Sequence, residues 1–91
     1  TILEELTAGD ERIARLKEEK HELEESAKAD STRYGDILHE LEVLGFYGLE
    51  HRAKEILSGL GFPPADFQRP IAHLSGGWQM RVLLGKLLTY S

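Results

Sequence analysis

Apolar residues in the first part of the chain recur with a helical period. Ile2, Leu6, Ile13, Leu16, Leu23 and Ala27 fall at alternating three- and four-residue spacings once Gly9 and Lys20 fill the two gaps. That pattern predicts helix from Ile2 to Ala27 with a coiled-coil-like seam carrying two defects. The stretch is rich in Glu, Lys, Leu and Ala, all good helix formers. Gly9 marks a break or kink, with a fresh start at Asp10. Arg12, Arg15 and Lys17 interleave with Glu18, Glu19 and Glu22, as on an exposed helix face. At 1.5 Å per residue such a helix would reach roughly 35 to 40 Å.

Lys28 to Ser31 reads as a turn, because Asp30, Ser31 and Thr32 favour caps over helix interiors. A second helix is predicted from about Thr32 to Leu44, with Tyr34, Ile37, Leu38, Leu41 and Leu44 on one face and Gly45 ending it. The two helices are expected to form an antiparallel hairpin. Phe46-Tyr47-Gly48 reads as a short connection, and Glu50 to Leu60 as a third helix with Ala53, Ile56, Leu57 and Leu60 inward. Pro63 and Pro64 exclude helix interior after Phe62. Ala65 to Leu74 reads as a loop or single turn held by Phe67 and Ile71, and a fourth helix runs from about Trp78 to Leu88. No segment reads as a strand, so the expected fold class is all-α. The expected division is an acidic, arm-like helical hairpin at 1–49 and a second segment at 50–91.

At 91 residues one domain with a modest core is the limit. No apolar run approaches the roughly 18 to 20 residues of a membrane span, and no signal peptide is visible. With no cysteine, disulfides, thiolate metal sites and cysteine nucleophiles are excluded. The chain begins with Thr, as a processed, truncated or cloned piece would. Charge is unevenly placed: residues 1–50 hold 6 Lys and Arg against 14 Asp and Glu, a net −8, whereas 51–91 hold 5 against 2, a net +3. The acidic half is by itself a poor surface for phosphates, which need Lys and Arg.

The unusual constellation is Leu74-Ser75-Gly76-Gly77-Trp78-Gln79-Met80-Arg81. Ser75 is a good N-cap residue, and two glycines allow close backbone approach. A helix follows at once, so free N–H groups and the positive end of the helix dipole point out of Ser75–Gly77. Such a start can cradle an anion, most naturally phosphate. It can equally be a plain Ser-Gly-Gly helix start. His21, His39, His51 and His73 lack the spacing of a zincin site and read as surface or packing residues; no metal site and no nucleophile–base pair is detectable.

Leu74 to Arg81 resembles the signature motif of ATP-binding-cassette ATPases. Trp78 directly after the glycine pair, Arg81 three later and an apolar helix beyond resemble the first cassette of the ABC-F family. These are soluble tandem-cassette ATPases, many of which act on ribosomes. Thr1-Ile2-Leu3-Glu4-Glu5 resembles the segment after the glutamine loop. Tyr34-Gly35, Leu38 and Leu41-Glu42 resemble the second arm helix. Glu50 with Arg52-Ala53, then Ile56 to Phe62, resembles the approach to the signature. The resemblance covers nearly the whole chain and is most specific from Ile56 to Leu88.

The resemblance implies that Ser75, Gly76 and Gly77 contact, in trans, the γ-phosphate of ATP held by the opposing cassette. Gln79 and Arg81 lie in the first turns of the helix and are candidates to face the partner cassette, with plain surface placement the alternative for Gln79; Trp78 and Met80 read as packing residues. ATP and Mg²⁺ are implied for the intact parent, a second cassette of the same chain is the implied partner, and the arm is a candidate contact for ribosome or tRNA. The implied location is cytoplasmic, without membrane insertion. The chain contains no G-x-x-x-x-G-K-[ST] P-loop and no apolar strand ending in Asp-Glu. It therefore reads as an excised helical subdomain, running from after the glutamine loop to before Walker B, with no catalytic residue and no cofactor of its own. With Phe62, Phe67, Ile71 and Leu87 short of cover, the piece is expected to self-associate. Two other readings are a cassette of a membrane transporter and a non-enzymatic coiled-coil interaction module.

Overall fold

The computed structural model describes residues 1–90. Among the described residues there are five α-helices: α1 Ile2–Thr7, α2 Glu11–Glu25, α3 Thr32–Val43, α4 Phe46–Gly59 and α5 Gly76–Thr89. Two 3-10 turns, Pro64–Asp66 and Ile71–His73, lie between α4 and α5. Among the described residues there is no strand, so the all-α class holds.

The chain forms two compact units. One is the hairpin Asp10–Tyr47; the other joins residues 1–9 to the part of the chain from Gly48 onward. The division therefore differs from the expected one at 49 and 50. The first six helical residues belong with the C-terminal half because the long helix predicted from Ile2 is cut at Ala8-Gly9. Asp10 then starts α2 as its N-cap, its carboxylate accepting the Arg12 N–H at 2.9 Å.

In the hairpin, Ser31 caps α3 by accepting the Tyr34 N–H at 3.2 Å. Gly45, at φ +79°, supplies the left-handed residue that follows α3. Ile13, Ile37 and Leu41 are its buried aliphatic positions. The helices are antiparallel: the Tyr34 hydroxyl donates to Glu24 at 3.1 Å beside the turn, while Lys17 lies 5.0 Å over the Phe46 ring farther from it. Arg33 is bidentate on Glu19, with Nη2 at 2.9 Å from Oε1.

In the other unit the core is Ile2, Leu3 and Leu6 from α1, Ala53 and Leu57 from α4, Phe62 and Phe67 from the connection, and Val82 from α5. The connection is tied to α1 through the backbone. The Ile2 N–H donates to the Arg69 carbonyl at 2.9 Å and the Leu3 N–H to the Phe67 carbonyl at 3.0 Å. Those bonds satisfy donors that a helix start leaves open. The inward positions expected on the third helix are realised, since Ala53 and Leu57 are buried and Ile56 and Leu60 half-buried. That helix begins at Phe46, earlier than expected, so Phe46-Tyr47-Gly48 is helix rather than connection. Phe62 and Phe67 are buried and Ile71 half-buried, contrary to the expectation that they lack cover; Leu87 does, at 65% exposed.

Candidate functional site

The signature segment sits where α5 begins. Ser75 occupies the N-cap position with extended backbone, φ −65° and ψ 164°. Its hydroxyl caps nothing in the helix. Gly76 and Gly77 are the first two helical residues, and both are exposed. The first helix-type bond runs from the Gln79 N–H to the Ser75 carbonyl at 2.9 Å. The N–H groups of Gly76, Gly77 and Trp78 thus head a helix of 14 residues with no partner among the described residues.

Glycine at these two positions has no cause inside the chain. An added Cβ on Gly76 or Gly77 would meet nothing within 4 Å, and neither residue has a positive φ. Glycine is a poorer helix former than alanine, by up to about 1 kcal/mol in a helix interior and less at a terminus. Gly85, one face farther along, contrasts with them. There a Cβ would come 3.2 Å from Leu6 Cδ2 and 3.2 Å from Leu60 Cδ1, so packing explains that glycine.

The side chains after the glycines turn back onto their own unit. Gln79 Nε2 donates to the Leu74 carbonyl at 3.0 Å and to that of Ile71 at 3.4 Å. Arg81 Nη1 donates to the Leu60 carbonyl at 3.0 Å, and its guanidinium carbon lies 4.3 Å from the centre of the Trp78 ring. Trp78 meets Phe62 edge-on, centroids 5.0 Å apart. Met80 is 64% exposed, so it does not pack as the sequence implied. These internal bonds of Gln79 and Arg81 were not legible from spacing, because their acceptors are main-chain carbonyls, five and eight residues back for Gln79 and 21 for Arg81.

Several hairpin groups have perturbed titration. Hydrogen bonding to Arg33 holds the Glu19 carboxyl below its usual range, and Glu19 in turn raises the Arg33 guanidinium. The Tyr34 hydroxyl does the same to Glu24, as Arg12 does to Asp10. His21 and His51 stand exposed, each within salt-bridging distance of the glutamate four residues on. Among the described residues no group of three His, Asp or Glu is placed to hold a metal ion, and no helix is long and apolar enough to cross a membrane.

The chain matches curated proteins along most of its length. "Probable ATP-binding protein YheS" of Escherichia coli (strain K12) is 31% identical over 86 residues, 94% of this chain and 13% of that protein. "ATP-binding cassette sub-family F member 2" of Mus musculus is 40% identical over 60 residues, 66% of this chain and 10% of that protein. "ABC transporter F family member 2" of Dictyostelium discoideum is 37% identical over 79 residues, 87% of this chain and 13% of that protein. The chain thus spans only 10 to 13% of the length of these relatives. No family model matches the chain, and no solved structure matches it. With an ATP-binding relative matched over 94% of this chain and relatives named to the F family over 66 and 87% of it, the chain belongs to the ABC-F family of ATP-binding proteins.

Proposed function

We propose that this chain is the arm and signature segment of an ABC-F ATPase, from the first cassette, and that Ser75, Gly76 and Gly77 contact the γ-phosphate of ATP. The nucleotide, with Mg²⁺, is bound on the P-loop of a second cassette of the same protein, and the two cassettes close on it. The observation that carries this reading is the unexplained glycine pair. Two helix-weakening residues stand at an exposed helix start, over three N–H groups without a partner, where the chain itself leaves room for a side chain. An anion pressed onto that start needs the room. The full protein's task is in translation, with the hairpin as the part that meets the ribosome or tRNA, and its location is the cytoplasm.

The test is ATP turnover by the full-length protein carrying Ser75→Arg or Gly77→Asp. Both put bulk, and Asp also negative charge, where the phosphate must come within hydrogen-bond distance. Each should cut turnover by at least tenfold. Gly35→Asp makes the same chemical change in α3, where a Cβ also meets nothing within 4 Å, and should leave turnover unchanged. Wild-type turnover in Gly77→Asp would overturn the phosphate contact.

A further inference from the structure

The direction of α5 is set by a contact made outside its own helix ladder. α4 closes with a left-handed turn. The Phe62 N–H donates to the Leu57 carbonyl and the Gly61 N–H to the Ser58 carbonyl, both within 3.1 Å, with Gly61 at φ +99°. This Schellman arrangement leaves the Leu60 carbonyl, at the end of α4, facing outward. Arg81 takes it at 3.0 Å, placing a cation where the helix dipole favours one. The same guanidinium carbon lies over the Trp78 ring, 4.3 Å from its centroid, and Trp78 stands edge-on to Phe62, the next residue past Gly61. Gly61 completes the fit, since a Cβ there would fall 3.2 Å from Arg81 Nη1 and 3.5 Å from the Trp78 ring. Trp78 is the third helical residue of α5 and Arg81 the sixth, so both first turns are held to the end of α4.

We infer that Arg81 and Trp78 are positioning residues, joining the start of α5 to the Leu60 carbonyl so that the N–H groups of Gly76, Gly77 and Trp78 point in one fixed direction. This rests on the phosphate contact proposed above and adds what aims it. A cradle of free N–H groups stabilises charge only when its donors are already oriented, and small misplacements of aligned groups cost rate steeply. Without the Arg81 bond, α5 is still a helix on the same core through Val82 and Gly85, but its first turn has lost its outer tether.

The experiment measures steady-state ATP hydrolysis by the full-length protein with Arg81→Met, Arg81→Lys and Gly77→Asp, alongside thermal unfolding of each. Arg81→Met keeps the reach of the chain and removes the donors. It should lower kcat by about tenfold while KM for ATP stays within about twofold, because the nucleotide is held by the other cassette. Arg81→Lys retains a donor for the Leu60 carbonyl and should recover at least half of the lost turnover. Wild-type kcat in Arg81→Met, with Gly77→Asp inactive, overturns the positioning role and leaves the phosphate contact standing. Wild-type kcat in Gly77→Asp overturns the phosphate contact itself. Should Arg81→Met unfold, Arg81→Lys decides: a folded Lys variant with kcat about tenfold below native overturns the assignment of the Leu60 bond, and one with near-native kcat and unchanged KM supports it.

Discussion

The Gly9 N–H donates to the Tyr90 hydroxyl at 2.8 Å, joining positions 81 residues apart at the two ends of one unit. The same phenol ring fills the space a side chain at Gly9 would need, since a Cβ there would lie 2.5 to 2.9 Å from three of its atoms. Gly9 is not at positive φ, so its glycine is required by this contact and not by its backbone. Gly9→Ala should therefore evict the Tyr90 ring and destabilise the unit by roughly 1 to 2 kcal/mol, combining overpacking with a lost hydrogen bond. Tyr90→Phe keeps the ring and should cost only about 0.5 to 1 kcal/mol, because Gly9 is exposed and water can replace the hydroxyl. Urea unfolding of both variants checks the order, and a Tyr90→Phe loss larger than that of Gly9→Ala would overturn this account.

That contact also marks where sequence reasoning reached its limit. The break at Gly9 and the restart at Asp10 were legible, because glycine interrupts an apolar seam and aspartate is a cap. The face of α3 and the inward positions of α4 were legible from period alone. Where α1 goes was not. A six-residue helix carries no signal for its partner, and its first N–H groups are satisfied by carbonyls of Phe67 and Arg69, more than sixty residues away. The glycine pair was recognisable as a motif, but only the open space above Gly76 and Gly77 separates an external cause for glycine from an internal one. The Arg81 tether was hidden for the same reason as α1, its acceptor being a main-chain carbonyl.

The hairpin should loosen in acid. Glu19 and Glu24 are held below their usual 4.5, chiefly by hydrogen bonds from Arg33 and Tyr34, and Asp10 below 3.8 by the Arg12 side chain. A carboxyl with a lowered folded value binds protons more readily when unfolded. Its contribution is complete above about pH 4.5 and is lost as pH falls through the folded values. Hairpin stability should thus be level from pH 7 to about 5 and fall below that, with Arg33→Gln removing the Glu19 share. Molar salt should shrink the effect, because these pairs are exposed to solvent. Amide exchange in α2 and α3 across this range would reveal it; equal protection at pH 7 and 3 would contradict it.

The isolated 91-residue chain should self-associate, and of the residues the sequence implied for this only Leu87 takes part. Phe62 and Phe67 are inside the core, whereas Met80, Leu83, Leu84 and Leu87 stand 48 to 65% exposed. Their spacing puts them on one stripe of α5, opposite Val82 and Gly85, which are buried. Such a stripe favours association when nothing else covers it. Light scattering should show a mass above the monomer at high concentration, and Leu84→Glu with Leu87→Glu should return the monomer without loss of helicity. A monomer at millimolar concentration in the unaltered chain would count against the stripe.

The same isolated chain should neither hydrolyse ATP nor hold it tightly. Phosphoryl transfer depends on positioning and on neutralising charge at the phosphates. The P-loop lysine, the Mg²⁺-binding carboxylate and a residue to orient water are all missing from these 91 residues. What remains is the helix start, with the N–H groups of Gly76, Gly77 and Trp78 free to donate. Hydrogen bonds to a charged phosphate gain about 1.5 to 3 kcal/mol each, so three such donors bring at most about 9 kcal/mol, from which the lost freedom of association takes back about 4 kcal/mol or more. Millimolar affinity corresponds to about 4.1 kcal/mol and micromolar to about 8.2, so the start alone holds ATP far more weakly than micromolar. Arg81 adds nothing to this balance while it is occupied with the Leu60 carbonyl and the Trp78 ring. Titration calorimetry with Mg-ATP should therefore show no saturable heat in the micromolar range. Micromolar binding that Gly77→Asp abolishes would mean the segment is a nucleotide site in its own right, and the role assigned to the opposing cassette would fall.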